Sequence, residues 1–357
     1  MFSTAGPRAH ALRIVVPLVA GVLTLGACSS STSGSGATGT TGPATAKAAT
    51  PANVAAVIKG LDNPFFQAMQ DGINGAATKD GAKVTIQAAT DITDTTGQAD
   101  RLTTLAGQNF GCYIVNPISG TNLIQALSQV STAGKPIVNI DNPVDASAAK
   151  TAGINIATYI GTNNTAAGGK AGTFLAGTLP AGAKVAVIGG TAGDVTSAAR
   201  VTGFTSAAAG KLTVVQETAA NWNRDLALTA ATTIIAAHPD LAGFFVANDD
   251  MGLGVVKAIQ NAGLTGKILV VSVDGNKDAL QSIQSGGLTA TVAQYPYAIG
   301  SLGLEACEVA VAGGKLPATI ESPTALVTSD LAAAAIAAFP QPFTAFADPL
   351  TSLLPKK

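Results

Sequence analysis

From Asn53 onward the chain repeats one unit, a short apolar run followed by a polar loop and a helical stretch. "NVAAVIKG" leads into a helix expected from about Pro64 to Asp80. "AKVTIQAAT", a helix over 98–109 and "CYIVNP" come next. The runs "PIVNID", "YIGTN", "KVAVIGG", "TVVQET", "GFFVAND" and "KILVVSVDG" continue the pattern. Apolar runs this short, alternating with helices, fit a parallel sheet covered on both faces, where both sides of each strand are buried. They outnumber what one sheet of ordinary size holds. The opening at Asn53, "NVAAVIKGLDNPFF", has a counterpart at Lys184, "KVAVIGGTAGDVTSAAR": each is a buried strand, a polar loop and a helix. Two similar α/β lobes are therefore expected.

Ligands of open parallel sheets gather beyond the carboxyl ends of the strands, so two facing lobes would enclose a site. The unusual residues stand there: Asn63, Phe65 and Phe66, Asn116, Asp141 with Asn142, Arg200, Trp222, Asn248 with Asp249, Asp274 and Gln294. Only 4% of the chain is aromatic, yet two phenylalanines are adjacent in "LDNPFFQAM". Neighbours in an extended segment point to opposite sides, so one core could not easily take both. Carboxylates accept from hydroxyls, Arg donates to them and amides do both, while the C–H faces of a sugar pack on aromatic rings. Singly, each Asn or Asp is an ordinary turn former. Jointly, at seven strand ends, they describe a holder for a polyhydroxylated small molecule.

Composition narrows the classes. The net charge is -1 and 11% of residues are charged, which offers no field for nucleic acid. Of two histidines, His10 lies in the N-terminal segment and His238 precedes Pro239, so neither a zinc site nor a Ser/His/Asp triad is expected. Arg8, His10 and Arg13 precede the apolar run from Ile14 to Leu25, the pattern of a secretion signal. "LGAC", ending at Cys28, resembles the bacterial lipobox, in which the cysteine is acylated. Residues 1–27 are thus expected as a lipoprotein signal peptide, Cys28 as the lipidation site and 28–50 as a Ser/Thr/Gly/Ala tether. Cys112 and Cys307 could pair outside the cytoplasm or be buried as small apolar side chains; the sequence leans slightly to unpaired.

The segments "LDNPFFQAMQDGINGAA", "YIVNP", "PIVNID", "SAARVTGF", "NWNRDLALTAATTIIAAHPDLAGFFVANDDMGLGVVKAIQNAG", "VVSVDG" and "LTATVAQYP", in this order, resemble the ribose-binding proteins of bacterial ABC importers, over about Val54 to Asp330. The resemblance implies a periplasmic binding protein of type 1, two Rossmann-like lobes with parallel sheets joined by three crossings near Gly161 to Asn163, Ala293 to Pro296 and Pro323 to Val327. The implied lobes are 51–161 plus 295–325, and 162–294 plus 326–338; Leu331 to Lys357 departs by extending past the expected end, with 339–357 as a Pro/Phe-rich tail. It implies that Phe65 and Trp222 hold the sugar faces from opposite lobes and that Phe66 lines the pocket. Asn63, Asn116 and Asp141 would bind hydroxyls from one lobe; Arg200, Asn248 and Asp274 would do so from the other, with Gln294 at a hinge strand. No cofactor or metal is implied. The implied partners are a small sugar or sugar alcohol and an ABC permease, with the protein a monomer held at the membrane only by its lipid.

Two positions depart from the ribose proteins. Asn142 replaces an arginine and Val273 a phenylalanine, which points to another aldose or an open-chain polyol. A ligand-presenting sensor, or a carrier of a non-sugar metabolite, is the alternative reading. A sugar-responsive repressor would need an N-terminal helix-turn-helix where residues 1–50 hold a signal and tether. An enzyme is disfavoured, because no G-x-G-x-x-G follows "KVAVI" and the carboxylates have no catalytic His, Cys or metal partner.

Overall fold

Five of the six side chains of β1 (Asn53–Ile58) are buried, and the strand shows why its apolar run is unbroken. Val54, Ala56 and Ile58 join one apolar layer with Met69 and Ile299, whereas Ala55 and Val57 join another with Leu102 and Leu127. Both faces are covered, as a parallel sheet requires. The computed structural model describes residues 52–355, which belong to one compact unit. The expected signal peptide, Cys28 and the tether lie outside the described residues.

In the first lobe β1 is followed by α1 (Pro64–Asp80), β2 (Lys83–Ala88), α2 (Thr95–Ala106), β3 (Cys112–Val115), α3 (Ile124–Thr132), β4 (Ile137–Ile140), α4 (Ala146–Thr151) and β5 (Ile156–Thr162). The second lobe repeats the scheme with α5 (Asn164–Thr178), β6 (Lys184–Gly189), α6 (Val195–Ala208), β7 (Thr213–Ala219), α7 (Arg224–Ala237), β8 (Leu241–Val246), α8 (Asp249–Asn261), β9 (Leu269–Asp274), α9 (Lys277–Gln284) and β10 (Ala290–Ala293). Then come α10 (Pro296–Val311), β11 (Thr319–Ser322), β12 (Ala325–Val327) and α11 (Ser329–Ala338). The sheet orders are β2-β1-β3-β4-β5-β11 and β7-β6-β8-β9-β10-β12. All pairs are parallel except β10 with β12. The doubled sequence unit is thus a doubled topology. Helix α2 starts three residues before its expected position, because the Asp94 carboxylate accepts from the Gly97 N–H at 2.9 Å and caps it.

The chain passes between the sheets after Thr162, after Gln294 and between Ser322 and Ala325. Cys112 of β3 and Cys307 of α10 form a disulfide, their Cα atoms 5.6 Å apart, which decides the open pairing against the slight lean to unpaired. The pairing escaped the sequence because 195 positions separate the two residues, and only the return of α10 to the first lobe stacks it on β3.

Beyond α11 the tail turns back onto the body, with Phe343 packed on the second lobe's core and Phe346 and Leu350 in the first's. Beneath it the buried Glu305 carboxyl of α10 faces the Asp348 carboxyl and lies 3.5 Å from Lys79 Nζ. Burial and the neighbouring Asp348 charge push it from an ordinary 4.5 up to about 7. The folded chain therefore holds a proton there that the unfolded chain releases above about 4.5. Stability is expected to fall as pH rises through that window toward 7, and Glu305→Gln should flatten the slope of melting temperature against pH. Parallel slopes for the two proteins would show that Glu305 does not carry the dependence.

Candidate functional site

Between the lobes lies a cavity of about 680 Å³. From the first lobe Lys59, Asn63, Phe65, Phe66, Asp141 and Asn142 line it; Arg200, Trp222, Asn248, Asp274 and Gln294 do so from the second lobe and the hinge strand. Ten of the eleven expected ligand residues are among these. Asn116 is the exception and is corrected: it is wholly buried, its amide nitrogen 3.5 Å from Met69 Sδ. One residue past β3, its side chain falls under α1 instead of into the cleft.

The expectation that Phe65 and Phe66 point to opposite sides also fails. They occupy the first turn of α1, where neighbours are about a quarter-turn apart, and their rings meet edge-on at 5.3 Å. Both line the cavity and both join the first lobe's core. Asn63 caps the helix, its side-chain oxygen accepting from the Phe65 N–H at 2.9 Å. Asn248 does the same for α8, accepting from the Met251 N–H at 3.0 Å. Each cap fixes the amide at the cavity wall.

The second lobe holds a buried charged cluster. Arg200 donates from Nη1 to Asp274 Oδ1 at 3.1 Å and to the Ala247 carbonyl at 2.7 Å, and from Nε to Asn164 Oδ1 at 2.8 Å. Gln294 Nε2 donates to the same Asp274 oxygen at 2.7 Å. Burial pushes the Asp274 carboxyl up to about 6 against the opposing pull of Arg200. Asp249, singled out beside Asn248, lies below the cavity floor. Its carboxylate accepts from Ser272, Thr291 and the N–H groups of Gly275 and Asn276, which fixes the turn carrying Asp274. Burial and the Asp274 charge raise its pKa, and the converging donors oppose the shift.

Asn142 reaches the cavity wall with its amide already committed. Its NH2 donates to the Pro117 and Ile118 carbonyls, and its Oδ1 accepts from Thr196 Oγ1 of the opposite lobe at 3.1 Å. It ties the lobes across the cleft and is no simple substitute for an arginine donor. A cation comes from Lys59 instead, 3.7 Å from Asp141 Oδ2 and 5.4 Å from the centre of the Phe66 ring. Sequence reasoning passed over Lys59, although it stands directly after β1, where the strand-end rule applies. Tyr159 was also missed; it donates to the Asp141 carbonyl at 2.6 Å.

Trp222 lies 5.8 Å from the Arg200 guanidinium, and its ring sits against Gly190 so closely that a Cβ there would overlap it. Gly190→Ala is expected to displace the indole and weaken ligand binding about tenfold, the worth of one aromatic wall, while leaving the unliganded melting temperature within a few degrees. Titration calorimetry with melting curves decides it. Unchanged affinity would mean that the indole does not touch the ligand.

A family model described as "Periplasmic binding protein domain" matches residues 54–315. The chain belongs to the periplasmic binding protein family. Among its relatives, the D-allose-binding periplasmic protein of Escherichia coli K12 is 36% identical over 74% of this chain and 86% of its own. The ribose import binding protein RbsB of Bacillus subtilis 168 is 35% identical over 75% and 84%. A solved ABC transporter periplasmic solute binding protein from Actinobacillus succinogenes 130z, with bound D-allose, superposes with a TM-score of 0.75 at 28% identity, covering 80% of this chain and 99% of its own. The two named relatives are sugar-binding proteins, and the segment of this chain from 316 onward lies outside the matched family model. The third crossing, α11 and the tail are in that segment.

Proposed function

We propose that this protein is an extracytoplasmic receptor that encloses one small neutral sugar or sugar alcohol between its lobes and hands it to an ABC permease. The observation that carries the reading is backbone strain. Among the described residues, the non-glycine positions with positive φ are Asp141 (59°), Asn221 (53°), Trp222 (60°) and Asp274 (140°). Three of them line the cavity and the fourth precedes one that does. Such conformations cost about 1–3 kcal/mol each and persist where the surrounding structure enforces them for a task.

In this reading Phe65 and Trp222 hold the sugar's C–H faces, with Phe66 beside them. Asp141 and Asp274 accept from hydroxyls, Arg200 and Lys59 donate to ring or hydroxyl oxygens, and Asn63, Asn248 and Gln294 do both. An aldose such as D-allose suits the site better than ribose, because Lys59 supplies the cation near Asp141 while Asn142 is engaged with Thr196. The relative named for D-allose and the allose-bound structure support an aldose ligand, as does the ribose-binding relative. Acylated Cys28 would hold the monomer at the membrane while the closed form docks on its permease.

The test is a thermal-shift and calorimetry screen of the mature chain against aldoses, pentitols, hexitols and inositols. A shift confined to one stereochemical set, with one site per chain, is the expected result. A folded sample that answers to none of them would overturn the sugar reading.

A further inference from the structure

The tail touches both lobes at once, and does so on the hinge. Helix α11 buries Ala332 and Ala335 in the second lobe's core, and Ile336 and Phe343 pack against the same core. A few residues on, Phe346 packs on the first lobe's core and Leu350 is wholly buried in it. The end is stiffened locally: the Asp348 carboxylate accepts from the Leu350 N–H and the Thr351 hydroxyl, each at 2.8 Å. The chain therefore makes a fourth span between the lobes, in a region outside the matched family model.

The span grips one hinge residue. Tyr295, buried at the second crossing, has Phe343 edge-on at 6.1 Å and Phe346 stacked at 6.4 Å, and its hydroxyl bonds to that of Thr344. Gln294, the preceding residue, donates to Asp274 in the cleft. Phe343 belongs to one lobe's core and Phe346 to the other's, so a rotation about the crossing pulls Tyr295 away from one of them. The conformation in which all three rings touch also has Thr196 bonded to Asn142 across the cleft mouth.

We infer that residues 339–355 act as a strap that favours the closed arrangement of the lobes, and that Tyr295, held by the strap, is a positioning residue for Gln294. The fraction of closed protein scales apparent affinity directly, so loosening the strap lowers affinity without touching a ligand contact. The ligand arm of the test rests on the sugar reading; the distance arm does not.

The experiment uses the chain from Ser29 onward with spin labels at Thr121→Cys and Thr202→Cys, exposed positions on opposite lobes. The parent, a chain ending at Phe339, and a full-length Phe346→Ala, Leu350→Ala variant are compared without ligand. Both altered chains are expected to shift the interlobe distance toward longer values. With D-allose as the probe, calorimetry should show about tenfold weaker binding at unchanged stoichiometry. The full-length variant keeps the proposal decidable should the shortened chain fail to fold. Unchanged or shorter distances in a folded variant would overturn the strap. If D-allose binds none of the proteins, the ligand assignment fails and the distances still decide the strap.

Discussion

An Asp274→Ala chain is expected to lose about 3–5 kcal/mol of unfolding free energy, because the substitution strands the Arg200 guanidinium in a site where both side chains are under a tenth exposed. Gln294 Nε2 loses the same acceptor. Affinity for the sugar should fall by about a hundredfold or more, since the hydroxyl acceptor and the orientation of its donors disappear together. The double variant Arg200→Leu, Asp274→Asn separates the two effects. It removes the stranded charge, so stability should recover in part while binding does not. Urea unfolding and calorimetry on the two chains give the answer, and a single variant of parental stability would refute a buried pair. Sugar binding by the wild type, though not its stability, should depend on pH through the same carboxylate, because the raised folded-state pKa makes the folded chain the better proton binder. With Asp274 pushed up to about 6, acidification through that value protonates it and takes the anion from Arg200. Sugar affinity is therefore expected to fall as pH drops below about 6.

The second large effect is expected from the disulfide. Cys112 and Cys307 close a loop spanning 195 positions that contains the whole second-lobe sheet apart from β12. In the chain-entropy account, opening a loop of that length costs roughly 5 kcal/mol through the freedom returned to the unfolded chain. A Cys112→Ala, Cys307→Ala chain, or the parent under reductant, should unfold at correspondingly lower urea with little change in ligand affinity, because neither cysteine lines the cavity. Two titratable thiols in the denatured, unreduced parent would show that the bond does not form.

The strand-end rule located most of the cleft. Asp141, Asn248 and Asp274 follow or end apolar runs, and each arrives at the cavity. The rule failed at Asn116, whose run ends under α1, and it was not applied to Lys59, which follows the first run of all. The asparagine at 142 was legible as a departure from arginine, yet its bond to Thr196 was not, since that contact exists only when the lobes approach. The helix expected from Pro64 already held the adjacent phenylalanines, yet the alternation of an extended segment was applied to them; a helical first turn brings both rings to the cavity.

The sequence by itself determined the doubled α/β unit, the coverage of both sheet faces and the chemistry offered at the strand ends. These are local properties: periodicity records burial along one element, and a turn follows from the few residues that make it. Only the tertiary structure decided that Cys112 meets Cys307, that Asn142 spans the cleft, and that the tail returns over the hinge onto Tyr295. Each of these joins residues distant in the chain, and what brings them together is the packing of whole lobes, which no local pattern encodes.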